Sequence, residues 1–357
     1  MTTRRARIGI IGAGWWSTRV HLPSLASYPP AEITGIADPD ANHARAAADK
    51  FGVRHVFDDH QKLLGLGLDA VIIATPHHTH HTIARDALCA GVDVLVEKPM
   101  VLRPEHAHEL VELADDKGVR LHVGYPYPHT RHAQLLRKLI SDGKLGDPLL
   151  VNSLFATTAG LLYGRGQRKF DAEDALVGPT ADTYNDPAKG GGQAYTQATH
   201  SVSLMLYTTG LQPTEVDAQV ATVESGVDLS DAATFGTREG AIGVLASTGA
   251  VPSTQRPVEQ LRVFGSGGHA MLDTSNGTLS VHFSDGSRHI EAPLADEERY
   301  PEGQTSRHLV DCVLGHEPVI ADGQLGLATV EFLDALLRAA HAGSRQVISQ
   351  HKTEDRR

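Results

Sequence analysis

The apolar run Arg7–Ile11 stops on Gly12-Ala13-Gly14 and gives way at once to a helical pattern, Trp16–Ala26. No other stretch constrains the fold as much. A strand that turns into a helix within three residues needs glycine, because side chains there would block the turn and hold ligands away from the new helix end. The alternation continues: Glu32–Ala37 reads as a second strand and Ala41–Phe51, rich in alanine and charge, as a helix. Ala70–Ala74 is almost continuously apolar, as a strand covered on both faces requires. Thr79–Ala90 is a helix stopped by Gly91, Val92–Glu97 a strand, Pro104–Lys117 a helix and Val119–Gly124 a strand. Strand–helix alternation with buried strands predicts an α/β, doubly wound parallel sheet of the Rossmann type.

After Tyr125 the rhythm changes. One amphipathic helix, Ala133–Asp142, ends at Gly143, and β-rich segments then dominate: Leu149–Phe155, Pro213–Glu224, Asp231–Phe235, Ala241–Ser247, Gln260–Phe264, Ala270–Asp273 and Thr278–Phe283. Asn276-Gly277 and Asp285-Gly286 are hairpin punctuation. Helices Gln193–Thr208 and Leu325–His341 interrupt them, and Gly160–Gly192, rich in Gly, Asp and Pro, reads as a long functional loop. The 357 residues exceed one ordinary core. We therefore expect two domains, residues 1–125 and 126–357, the second an α+β domain with a mostly antiparallel open sheet.

The net charge of −11 argues against nucleic acid or an anionic membrane as partner. Arg4-Arg5 ahead of Ile8–Ile11 imitates an export signal, but the apolar run is short and broken by glycine. No stretch reaches the roughly 18 to 20 apolar residues of a membrane span. Two distant cysteines, Cys89 and Cys312, are no disulfide framework, so the expected compartment is the cytoplasm.

The glycine turn brings backbone amides to a helix N-terminus, a site for a pyrophosphate. Ser17 stands where the fingerprint has its third glycine, so the turn alone is a weak signal. Asp38 strengthens it. It ends the second strand, 24 residues after Gly14, where a carboxylate accepts hydrogen bonds from the adenosine ribose and repels a 2′-phosphate. The cofactor read from this pair is NAD. Thr75-Pro76 and Glu97-Lys98-Pro99 close later strands at the carboxyl edge of the sheet, where open α/β folds bind ligands. A lysine there can stabilise a substrate alkoxide, or merely pair with Glu97 at the surface.

Together, Gly-x-Gly, Asp38, Thr75 to His80 and Glu97-Lys98-Pro99 resemble the glucose–fructose oxidoreductase/inositol dehydrogenase (Gfo/Idh/MocA) family. The likeness continues through Gly190-Gly191-Gly192 to His200, similar to the family's glycine run leading into Asp-x-x-x-His. It implies a catalytic lysine at Lys98 and a general acid/base at His200. It also implies a cofactor site of Gly12, Ala13, Gly14, Trp15, Trp16, Asp38, Thr75, Pro76, His80, Glu97, Lys98 and Tyr127. One position departs: Thr196 stands where the family has Asp, and Ser203 lies three residues past His200. Gln193, Thr196, Gln197 and His200 recur at helical spacing, and we assign that stripe to the substrate face. With Lys98, His129 and Arg131 complete the expected substrate contacts. Arg165, Arg168 and Lys169 either grip an anionic group or form a solvated loop.

The tract His77-His78-Thr79-His80-His81 has histidine spacing suited to a metal, yet no carboxylate or cysteine completes a ligand set, so no metal is expected. The resemblance implies hydride transfer between NAD and a secondary ring hydroxyl of a sugar, glycoside or cyclic polyol. The expected partner is thus a small carbohydrate. Family members commonly assemble through the second-domain sheet, which implies a homodimer or homotetramer. Two rivals stand beside this reading. Some relatives are NAD-dependent glycoside hydrolases that oxidise the ring transiently and eliminate the aglycone. A sensor that binds NAD without turnover is the other.

Overall fold

The structure, a computed structural model, describes residues 4–163, 176–179 and 181–348. Strands β1 (Ala6–Ile11), β2 (Ala31–Ala37), β3 (His55–Phe57), β4 (Ala70–Ile73), β5 (Asp93–Val96) and β6 (Leu121–Val123) form one sheet. Their order is β3-β2-β1-β4-β5-β6, all parallel. The strand order reverses between β1 and β4, which opens a crevice at their carboxyl ends. Helices α1 (Leu22–Ala26), α2 (Ala41–Phe51), α3 (His60–Leu64), α4 (His80–Cys89) and α5 (Pro104–Lys117) connect the strands. The doubly wound reading holds. Only β3 and α3 escape it, being three and five residues long, too short to show a period.

The first helix departs from expectation at its start. It opens as a π-helical turn, Ser17–His21, and becomes α-helical only at Leu22. Pro23 has no N–H to give the turn before it, and the widened turn absorbs that loss.

The chain then builds a second sheet after α6 (Arg131–Ser141). Its strands are β7 (Pro148–Ala156), β8 (Pro213–Thr222), β9 (Asp228–Thr237), β10 (Ile242–Thr248), β11 (Val258–Gly265), β12 (Gly268–Asp273), β13 (Thr278–Phe283), β14 (Arg288–Ile290) and β15 (Gln346–Val347). The order is β14-β13-β12-β11-β7-β10-β9-β8-β15, and only β7 and β10 run parallel. The remaining helices are α7 (Ala181–Tyr184), α8 (Thr199–Thr209), α9 (Asp296–Arg299), α10 (Gln304–Val313) and α11 (Gly323–Ala342). Val202 and Met205 of α8 pack with Phe332 and Leu336 of α11 against Leu245, Leu261 and Val263 of the sheet. The apolar inner face of an antiparallel sheet is thus buried under two helices.

The chain also returns to the first sheet. Leu309, Val310 and Val313 of α10 pack beside Ile8 and Ile10, and Leu327 and Val330 of α11 join the core around Val71 and Val94. One helix therefore belongs to both cores, which fixes the second sheet over the carboxyl edge of the first. The helix Gln304–Val313 is not among those expected from the sequence.

Candidate functional site

The glycine turn has the shape a dinucleotide needs. Gly12 has φ +94°, and a side chain there would strike the Ala74 carbonyl, so β1 and β4 can end side by side only with glycine at this point. A Cβ on Gly14 would instead meet nothing within 4 Å, the open space that a pyrophosphate requires. The Ser17 hydroxyl donates to the Gly12 carbonyl and is fully buried, so serine closes the turn where a third glycine was expected. Asp38 sits beside this turn. One carboxylate oxygen accepts from the Ala13 amide (2.7 Å) and the other from the Asp40 amide (2.8 Å). These residues fit NAD.

The turns after β4 and β5 form the crevice wall. His80 is fully buried and its two ring nitrogens meet the carbonyls of Pro99 (2.8 Å) and Thr75 (2.9 Å). It holds those two turns together rather than facing the crevice. Thr75 Oγ1 accepts from Thr79 (2.7 Å), and Pro76 is exposed. Glu97 is nearly buried and acts as a junction. Its Oε1 accepts from Trp16 Nε1 (3.0 Å) and lies 3.1 Å from His21 Nε2, while Oε2 accepts from the Lys98 amide (3.1 Å). A side chain on Gly124 would collide with this carboxylate, so the end of β6 is also shaped for it. Trp15 and Trp16 meet edge to face, and the Arg19 guanidinium lies over both rings while binding Glu302 at 2.9 and 3.0 Å.

Lys98 reaches across to the second sheet's domain. Its Nζ donates to the Thr196 carbonyl at 2.7 Å. Burial lowers its pKa to about 8, with Glu97 opposing the shift, so the ammonium is charged at neutral pH. Thr196 lies four residues before His200 on the same helical stretch. Burial, then the Lys98 charge, holds the His200 imidazole well below the ordinary histidine range and therefore neutral. A neutral imidazole beside an ammonium can take a proton from an alcohol whose oxygen the ammonium stabilises.

Three further hydrogen bonds dock this stretch. His77 Nδ1 meets the Gly190 carbonyl (2.9 Å), Tyr195 donates to the Leu102 carbonyl (3.0 Å), and the Tyr125 and Thr199 hydroxyls pair at 3.2 Å. Gly192 has φ +94°, and its missing side chain leaves room for the Asp228 carboxylate, which accepts from the Ala194 amide (2.6 Å). Asp228 thereby anchors the start of the helix that carries His200. Burial holds Asp228 and its neighbour Asp231 above the usual carboxylate range.

The expected polar stripe is not one face. Ala194–Ala198 is a π-helical turn, with Thr199 N bonded to the Ala194 carbonyl, so spacing by 3.6 residues fails there. Gln193 Nε2 donates to Ser247 (2.8 Å) and Gln193 Oε1 accepts from Tyr163 (3.3 Å), while Thr196 Oγ1 pairs with Tyr163 and donates to the Gly192 carbonyl (2.6 Å). Both side chains are fully buried among protein partners. Gln197 and His200 keep different settings: Gln197 is half-buried, and His200 Nε2 lies 3.4 Å from the Tyr300 hydroxyl.

Tyr300 was not visible in the sequence as a site residue. Its ring meets His200 and Tyr127 edge-on, with centroids 5.8 and 5.1 Å away, and Tyr127 meets His200 at 6.0 Å. Tyr127, expected at the cofactor, is buried, and burial first and then the Glu259 charge hold its hydroxyl well above the usual tyrosine range. Glu259 went equally unnoticed. A lone tyrosine after a short helix and a lone glutamate on a strand carry no spacing that would mark them.

Two expected substrate contacts lie elsewhere. Arg131 is exposed and donates to the carbonyls of Ala292 (3.2 Å) and Pro293 (3.4 Å). His129 packs its ring 4.9 Å from His308, and burial first, then that histidine, lowers its pKa to about 3. Arg165, Arg168 and Lys169 lie outside the described residues. The histidine tract diverges: His77 and His80 serve carbonyls, and His81 binds Glu109 (2.8 Å). Among the described residues no group of three or more metal-ligating side chains converges, and no helix is long and apolar enough to cross a membrane.

Comparison with known proteins identifies the family. Residues 6–125 match the oxidoreductase family with an NAD-binding Rossmann fold, and residues 133–271 match the GFO/IDH/MocA C-terminal domain. The D-glucoside 3-dehydrogenase of Escherichia coli is 26% identical over 97% of this chain and 98% of its own. The UDP-N-acetylglucosamine 3-dehydrogenase of Acidithiobacillus ferrooxidans is 25% identical over 90% of this chain and 92% of its own. Among solved structures, GenD2 from gentamicin A biosynthesis, in complex with NAD, superposes with a TM-score of 0.79 at 24% identity, covering 98% of both chains.

Proposed function

The chain belongs to the Gfo/Idh/MocA family of NAD-dependent oxidoreductases, and from that premise we propose that it oxidises a secondary ring hydroxyl of a sugar, glycoside or cyclic polyol. The substrate we favour is a D-glucoside-like pyranoside reacting at carbon 3, because two full-length relatives are 3-dehydrogenases, one of a D-glucoside. The observation that carries the proposal is the Lys98–Thr196 hydrogen bond, which sets an ammonium group one turn ahead of a neutral histidine.

NAD, when bound, supplies nicotinamide C4 as the hydride acceptor. Gly12, Ala13, Gly14, Trp15 and Trp16 present the turn and helix start to its pyrophosphate, and Asp38 takes the ribose hydroxyls. Thr75, Pro76 and the Glu97 junction shape the wall beside it. At the reacting carbon, Lys98 donates to the hydroxyl oxygen and stabilises the charge that develops there. His200 accepts the hydroxyl proton. Gln197 is the remaining polar side chain of the stripe available to orient the sugar.

A methyl D-glucoside with NAD tests the reading. The expected result is NADH accumulating one for one with ketosugar. Absence of NADH formation across methyl glycosides, free sugars and inositols would overturn it, and release of the aglycone without NADH would put a redox-neutral hydrolase in its place.

The partner is a small carbohydrate rather than nucleic acid or membrane, a reading supported by the −11 charge. The two free cysteines, one exposed, support a reducing cytoplasm. We further propose a homodimer or homotetramer formed through the open face of the second sheet. Ile242, Leu150 and Phe264 are cross-strand neighbours there, 61%, 37% and 37% exposed. Such an apolar row on a sheet face is a self-association surface. Ile242→Glu should shift the mass in light scattering to that of a monomer or smaller oligomer, and an unshifted mass would point to another face.

A further inference from the structure

The strongest unassigned feature is a carboxylic acid sealed beneath the histidine. Glu259 on β11 is 1% exposed and lies opposite Phe155 in the strand register, and Phe155 packs its ring 6.3 Å from His200. Glu259 Oε2 accepts from the Thr274 hydroxyl at 3.1 Å, and Oε1 has no hydrogen-bond partner. The carboxyl also faces the Tyr127 hydroxyl and interacts with it electrostatically. Tyr127 and Tyr300 in turn box the imidazole of His200, with Tyr300 closing on Nε2. A carboxyl group this deep costs stability that an apolar residue filling the same space would not, which points to a use for its chemistry.

We propose that Glu259 is a positioning residue for His200, acting through Tyr127 and Tyr300 in place of the carboxylate that is absent at Thr196. The proposal rests on His200 being the proton acceptor. The Thr196 side chain is committed to Tyr163 and the Gly192 carbonyl, so no acidic group approaches His200 along its own helix. The charge instead comes from the sheet below. Burial pushes the Glu259 carboxyl up to about 8, with Asp273 adding to the rise and the Tyr127 and Thr274 hydroxyls opposing it. Glu259 is therefore mainly protonated at pH 7 and ionises in the mildly alkaline range. Its anion then lies beneath the imidazole, across Tyr127 and Phe155, and a negative charge there favours the protonated form of His200. That field strengthens His200 as a base as pH rises.

Glu259→Gln imitates the neutral acid and cannot ionise, which separates this role from simple space-filling. With a methyl D-glucoside and NAD, kcat of E259Q divided by kcat of the parent should fall about threefold between pH 7 and pH 9, the equivalent of half a pKa unit at His200. Lys98 titrates in the same window in both proteins and so cancels in the ratio. Tyr127→Phe, which cuts the connection, should show the same alkaline decline, and the double variant should decline no further. A ratio that stays flat from pH 6 to pH 10 overturns the proposal, and if E259Q does not fold, a flat ratio for Y127F does so. Running His200→Ala alongside distinguishes the two levels. An inactive H200A with flat ratios defeats only the role of Glu259, whereas near-parental turnover by H200A removes His200 as acceptor and the proposal with it.

Discussion

Lys98 and Thr196, 98 residues apart in sequence, are joined by a 2.7 Å hydrogen bond from an ammonium to a main-chain carbonyl. The acceptor belongs to the π-helical turn Ala194–Ala198, and the lysine leaves the end of β5. This bond spans the two halves of the molecule. It orients the ammonium without using a side chain, so the charge stays available to a substrate oxygen.

Removing either proposed catalytic group should therefore separate chemistry from cofactor binding. Lys98→Ala and His200→Ala are each expected to lower kcat by about 10²-fold or more, the scale of general acid–base catalysis. Nicotinamide fluorescence titration should give NADH affinities within about threefold of the parent, since neither role needs the dinucleotide. Near-parental kcat in either variant would disprove its assignment.

The two groups also fix the pH profile. His200 is neutral at and below the ordinary histidine range, so activity should persist to mildly acid pH before protonation removes the base. Lys98 loses its proton near pH 8, and with it the charge that stabilises the alkoxide, so kcat should decline above that value. The expected curve is a bell with its alkaline limb near pH 8. In Lys98→Arg the guanidinium stays charged, so any residual activity should lack that limb. An alkaline limb left in place by K98R would assign it to another group.

Much of this arrangement was legible beforehand, and the reasons are physical. Ala41–Phe51 and Pro104–Lys117 were read to the residue because both helices end on left-handed glycines, Gly52 and Gly118, and the first begins on the Asp40 cap. Lys98 and His200 stand out as candidates because each sits in a motif with fixed spacing. The polar stripe failed because periodicity assumes 3.6 residues per turn, and the π-turn between Ala194 and Ala198 breaks that assumption without a compositional sign. Glu259 and Tyr300 were invisible for another reason. Their importance comes from packing between a strand and the segment before α10, and such contacts leave no local pattern.

Asp38, the residue proposed to set the cofactor preference, also braces the glycine turn through its bond from the Ala13 amide. Asp38→Asn keeps the size and an acceptor while removing the charge. The NAD enzyme should then lose about tenfold of its discrimination against NADP, the equivalent of about 1.4 kcal/mol. Comparing kcat/KM for both dinucleotides measures this, and unchanged discrimination would move the specificity to another residue.

The last prediction concerns the position at which the family has aspartate. If Thr196 were only a neutral substitute facing substrate, Thr196→Asp would restore a familiar site and leave stability alone. The structure argues otherwise. Thr196 is fully buried, its hydroxyl donates to the Gly192 carbonyl at 2.6 Å, and among the described residues its one side-chain hydrogen-bond partner is Tyr163. A carboxylate placed there can accept from Tyr163 but has no proton to give Gly192, and two oxygens without a proton between them repel. The charge would also be desolvated, in a region where burial already holds the Asp228 and Asp231 carboxyls above the usual range. Thr196→Asp should lower Tm by several degrees, with kcat no higher than in the parent. Thr196→Ser, which keeps the hydroxyl, should lie close to the parent in both. A T196D protein as stable as the parent and faster on a methyl D-glucoside would show that this helix can re-form the family's arrangement, and that Thr196 is a substitution in the site rather than part of its support.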